Sequence, residues 1–107
     1  MVDFKDRERA EEAKYAMDQE TAFRVAARRN RLLGHWAAEK LNLTPEEADA
    51  YAKSVVQADF EAAGSGDVIR KVLSDLTAAG VEIDEAGVQA ALDEKSVEAR
   101  RQLMSES

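Results

Sequence analysis

The chain has no cysteine, and only one proline, one histidine and one tryptophan among its 107 residues. Without cysteine there are no disulfides and no thiolate metal ligands, which fits a reducing compartment, and the expected location is the cytoplasm. One imidazole and no thiol leave little from which to build a nucleophile or a general base. A two-metal site in a helical bundle would want paired Glu-x-x-His motifs, but the residue three before His35 is Leu32, and no metal site is expected. The phosphate-cradling pattern G-x-x-x-x-G-K-[ST] is also missing, because GSGD at 64–67 lacks both the lysine and a preceding strand. Long apolar runs are absent too. Nothing approaches the ~20 residues of a membrane span, and MVDFKDRERAEEAK at the start reads as no secretory signal. A soluble protein that is not an enzyme is the expectation.

What the chain does have is alanine, charge and helical rhythm. Its apolar share is 45%, yet aromatics make up only 6%. A core made largely of alanine and a few branched side chains suits closely packed helices better than a β-sandwich, and this length suits one small domain. The net charge of -7 is unevenly spread. Residues 1 to 20 carry 4 basic and 7 acidic side chains, residues 21 to 41 carry 5 and 1, and residues 42 to 107 carry 6 and 14. A cationic island lies between two acidic sections.

The periodicity predicts an all-α fold, a small four-helix bundle of residues 20–107 preceded by a charged, helix-prone arm at 1–19. The first core helix runs from Phe23 to Leu41, with Phe23, Ala26, Ala27, Leu33, Ala37 and Leu41 near one side and Leu32 and Trp36 widening it. Thr44, Pro45 and Glu47 mark the next helix start: Thr44 and Glu47 form a capping box, and Pro45 takes the first helical position, where no amide hydrogen is needed. That helix carries Ala48, Tyr51, Ala52, Val55 and Val56 towards Phe60 and is expected to stop in AAGSGD, where Gly64 and Gly66 allow a left-handed turn. Val68, Ile69, Val72, Leu73 and Leu76 predict a third helix ending near Gly80. Asp84 is the expected cap of the fourth, with Ile83 and Val88 placed as a staple and Ala91, Leu92, Ala99 and Leu103 following. Gly87 stands out there as a local weakness of about 1 kcal/mol against alanine.

The arm differs in kind. Its apolar residues make only a thin stripe, Ala10, Ala13 and Met17, while charged pairs such as Asp3 with Arg7 and Arg7 with Glu11 support a helix. Burying so little apolar surface contributes too little to offset ordering at about 1–2 kcal/mol per residue. The arm is therefore available to something other than its own bundle.

Within the island, Arg24, Arg28, Arg31 and His35 fall at helical spacing on one face. Two readings compete. Either Glu20, Glu39 and acidic residues of other helices neutralise the face as an internal ion-pair seam, or the guanidinium groups form a site for phosphate or for an acidic partner surface. Nucleic acid is not expected, since the flanking acidic sections would repel a polyphosphate backbone. Trp36 reads as a core anchor. Asn30 interrupts the apolar side of its helix and needs hydrogen-bond partners if buried.

DRERAEEAKYA at 6–16, Phe23, ARRNRLLGHWAAEKL at 27–41, Thr44-Pro45, Phe60 after Val55-Val56, and DVIRKVLSDL at 67–76 together resemble one family. It is the zeta inhibitor subunit of α-proteobacterial F-type ATP synthases. The similarity covers nearly the whole chain, dense through 6–41 and looser after about residue 78. It implies a four-helix bundle that inhibits ATP hydrolysis through its N-terminal segment, which enters an interface of the catalytic head. It implies the alpha, beta and gamma subunits as partners, attachment to the inner membrane only through the synthase, and an association with ADP or ATP, although no cofactor is required. The arm's expected anchors are Phe4, Arg7, Arg9, Lys14 and Tyr15, and the expected anion or nucleotide face is Arg24, Arg28, Arg31 and His35. A nucleotide-sensing helical module and a helical adaptor for another partner are the alternatives. A monomer is expected when the protein is free.

Overall fold

Helix boundaries in the computed structural model follow the capping chemistry closely. Its backbone is described over residues 4–61 and 65–106, and its side chains over 20–59 and 66–105. Four helices follow in order: α1 (Phe4–Lys40), α2 (Pro45–Glu61), α3 (Ser65–Ala78) and α4 (Glu85–Glu106). At the start of α2 the Glu47 amide donates to Thr44 Oγ1 at 3.2 Å, and the Thr44 amide donates to Glu47 Oε1 at 3.0 Å. This reciprocal box satisfies two amides that the helix itself cannot. Those hydrogen bonds from Thr44, the backbone one above all, hold the Glu47 carboxyl below its ordinary value. Asp84 caps α4 in the expected way, accepting from the Gly87 amide at 2.8 Å.

Two helices end on residues with positive φ. Asn42 (φ 57°) follows α1 and Gly80 (φ 84°) follows α3. In each case the next residue's amide reaches back five positions: Leu43 to Ala38 O at 3.1 Å, Val81 to Leu76 O at 3.0 Å. These are Schellman closures, which reverse the chain in a few residues and satisfy terminal carbonyls. Gly66 takes no such conformation. It lies in the first turn of α3, which begins at Ser65 rather than near Val68. Gly64 lies outside the described residues.

The short links lay α2 antiparallel to α1, and a buried core joins all four helices. Leu33, Ala37, Val55, Val68, Ile69, Val72, Leu76, Val88, Ala91 and Leu92 form it, with Trp36, Leu41, Tyr51, Leu73, Val81 and Ile83 packed at its edge. Phe23, expected in this core, is 56% exposed. Its place on α1 lies beyond Val25, the first buried side chain among the described residues of that helix, so α2 and α4 no longer enclose it. Trp36 is half-buried at the core edge, with the Lys40 ammonium 5.0 Å above its ring.

Small residues bring α1 and α2 together. A Cβ at Gly34 would lie 2.6 Å from Ala52 Cα, so only glycine permits this approach. Gly87, weak for a helix, also makes room: a Cβ there would meet Ile83 Cγ1 at 2.8 Å. Between α2 and α3, the Tyr51 hydroxyl donates to Asp75 Oδ2 at 2.8 Å, and Lys71 Nζ donates to the same oxygen at 3.1 Å. Burial first, and then the Asp75 carboxylate, push the Tyr51 hydroxyl well above its ordinary pKa, so this tie stays protonated through the neutral range.

Candidate functional site

The described arginines of α1, Arg24, Arg28, Arg29 and Arg31, divide between two faces. Arg29 turns inward with Asn30. Asn30 is only 1% exposed; its Nδ2 donates to Asp59 Oδ2 at 2.9 Å and its Oδ1 accepts from Arg29 Nε at 3.1 Å. Arg29 Nη2 lies 3.9 Å from the same Asp59 oxygen. Asn30 thus finds the partners its burial requires, and the three groups clamp the end of α2 to α1 in one register. Arg29 belongs to the framework.

Arg24, Arg28 and Arg31 take the other face, at i, i+4 and i+7. They line a groove of about 610 Å³ together with Phe23 and Ala27 of α1, Lys53 and Val56 of α2, and Leu103 near the end of α4. Four cationic and four apolar side chains thus line it. The volume falls in the range of ligand and peptide-side-chain pockets. Arg24 also pairs with Glu20 at 3.0 Å, both side chains being well exposed, so that pairing adds little stability. Among the described residues, Arg31 and Lys53 have no carboxylate within ion-pair distance.

His35, one turn further along the same face, does not join the groove. Its Nε2 lies 3.5 Å from Asp49 Oδ1 of α2. The internal ion-pair seam therefore exists in part, through Glu20, Asp59 and Asp49. Lys53 is the lining residue that sequence reasoning missed. Its place beside Arg31 depends on the register in which Gly34 meets Ala52, and only packing sets that register. The candidate arm residues Phe4, Arg7, Arg9, Lys14 and Tyr15 have side chains outside the described residues.

None of the described groove residues lies in the first turn of a helix, so none of them offers a free helix-start amide, and the donors among them are side chains. Leu103 lies in the last turn of α4, where the carbonyl end of the helix carries partial negative charge. Among the described residues no group of three or more His, Asp and Glu could hold a metal ion, and no helix is long and apolar enough to cross a membrane.

A model of the family described as ATPase inhibitor subunit zeta matches residues 1–102. A protein whose structure was solved by NMR in solution is 48% identical to this chain, the match covering 79% of this chain and 96% of that one with a TM-score of 0.69. No curated protein matches.

Proposed function

The chain belongs to the ATPase inhibitor subunit zeta family, and we propose that it inhibits ATP hydrolysis by inserting its N-terminal arm at a catalytic interface of the ATP synthase head. The family makes it an inhibitor subunit associated with that enzyme. The observation that carries the finer reading is the path of α1. This helix is unbroken over 37 residues, roughly 55 Å at 1.5 Å per residue. Among the described side chains of α1, those at 20–24 are exposed and the first buried one is Val25. The helices that enclose α1 are shorter, 17 residues in α2 and 22 in α4. The molecule is accordingly long, 62 × 25 × 22 Å, with a radius of gyration of 17.0 Å, against about 13 Å for a compact domain of this size.

A rotary enzyme is stopped by a rod lodged between subunits that must move past one another, provided the rod cannot slip through. The arm supplies the rod and the bundle supplies the stop. The arm's charged pairs support a helix in water, while its thin apolar stripe gives it little to hold against its own body. Inside a cleft of the alpha, beta and gamma subunits, Phe4 and Tyr15 bring aromatic area and Arg7 and Arg9 bring guanidinium groups, the residue types on which interface affinity concentrates, and Lys14 adds a further charge.

Deleting residues 1–18 tests the reading. Hydrolysis by the purified catalytic head is followed with the full and the shortened chain, and thermal melting of each is recorded. Inhibition is expected to vanish while the bundle still melts cooperatively. Inhibition by the shortened chain equal to that of the full chain overturns the proposal.

A further inference from the structure

We infer that the cationic groove is a second point of contact with the same enzyme, docking an acidic helix with an apolar seam on the outer surface of the head. The inference rests on the inhibitory reading above and adds a recognition surface on the body to the one on the arm.

Charge complementarity names the occupant. The chain as a whole carries -7, yet among the described residues the lining of this groove holds Arg24, Arg28, Arg31 and Lys53 and no acidic side chain, and Arg31 and Lys53 have no carboxylate within ion-pair distance. The three arginines spread along roughly 10 Å of α1, given 1.5 Å per residue. Ala27, Val56, Phe23 and Leu103 line the same groove. Cations and apolar side chains lining one groove match a helix that carries both carboxylates and an apolar stripe. A compact phosphate group fits less well. It would need several donors converging on one point, and here none of the described lining residues offers a free helix-start amide and Leu103 sits at the negative end of α4.

Position supports the same occupant. The groove begins at Phe23 and Arg24, at the base of the arm on α1. A head that grips the arm brings its outer surface against this part of the bundle. Contact there would fix how deep the arm enters and how the body sits, and long-range attraction to the groove's cations would speed the encounter.

The test uses full-length protein and the purified catalytic head as probe. Two double variants are compared with the unmodified chain: Arg31→Glu with Lys53→Glu, and the milder Arg31→Gln with Lys53→Gln. Both positions are exposed, so folding is checked by circular dichroism and melting. The charge reversal is expected to weaken binding to the head by roughly tenfold or more, mostly through slower association, and the neutral pair by less. Affinity of the unmodified chain is expected to fall with added salt, and that of the reversed variant to fall less. ADP is titrated against the unmodified chain in parallel, following the amide resonances of Arg31 and Lys53. If the unmodified chain inhibits and both variants bind the head as tightly as it does, the docking inference is overturned. ADP-induced shifts at Arg31 and Lys53 together with unchanged affinity for the head would overturn it in favour of a phosphate ligand. If the unmodified chain neither binds nor inhibits the head, the functional reading falls first and this inference with it.

Discussion

The two halves of α1 share one backbone and have different tasks. From Val25 to Lys40 the helix carries Leu33, Gly34, Ala37 and Ala38, each fully or nearly buried against its neighbours. From Phe4 to Gln19 it carries charged residues with only Ala10, Ala13 and Met17 as an apolar stripe. Helical propensity and i,i+4 pairs can sustain the first part as a helix, but tertiary packing holds the second. A single helix can therefore be anchored at one end and presented at the other, which an inhibitor that reaches into a partner's cleft needs. The cationic groove lies where the two regimes meet.

The difference can be broken most severely at Leu33. Leu33→Ala is expected to cost about 2–5 kcal/mol, and a domain of this size loses roughly 4–8 °C of Tm per kcal/mol. Met17→Ala, on the other half of the same helix, is expected to leave the melting temperature within a few degrees. A comparable loss at both positions, read by thermal melting, would mean that the arm packs on its own bundle. Next comes Gly34→Ala. Alanine favours a helix by about 1 kcal/mol over glycine, but the new methyl would press on the Ala52 backbone, and overpacking of this kind costs about 1–3 kcal/mol. A net loss of stability is expected, with the opposite sign from an alanine placed in an exposed turn.

The smallest effect belongs to the α2 cap. Thr44→Ala is expected to cost about 1 kcal/mol. The Glu47 carboxyl titrates below its ordinary value in the folded chain, so its contribution is present above the unfolded pKa near 4.3 and is lost as pH falls through the folded pKa. Removing the Thr44 hydroxyl should flatten the acid limb of the stability profile, measured by denaturant titration between pH 6 and pH 3. An unchanged acid limb would mean that the backbone half of the box alone holds the carboxylate.

Much of the bundle was legible because local chemistry announces it. Thr44, Pro45 and Glu47 state a helix start through capping alone, and Asp84 does so for α4. The spacing of Val68, Ile69, Val72 and Leu76 states a buried face, and all four are buried. Asn30 stated a demand, since an amide on an apolar face needs partners, but its partners Arg29 and Asp59 could not be named in advance. Asn42 was missed as a helix stop because Lys40-Leu41-Asn42 offers no glycine, although asparagine tolerates the left-handed region better than most residues. Phe23 was read as core from its period. Period tells which side of a helix a residue occupies, and only the lengths of the neighbouring helices tell how far that side stays covered.

The same division holds at the groove. Arg24, Arg28 and Arg31 share a face because a helix turns 100° per residue, which is local geometry and readable from spacing. His35 shares that face but sits beside Asp49, while Lys53 and Leu103 come in from α2 and α4. Sequence by itself determined four helices, the starts of α2 and α4, the stop at Gly80 and the inward faces of most buried residues. The tertiary structure decided which of the clustered cations look inward, as Arg29 does, and which border a groove. The physical reason is that short-range rules act along one helix, whereas a site between helices depends on their register, set here by the close fit of Gly34 against Ala52 and the buried Asn30–Asp59 hydrogen bond.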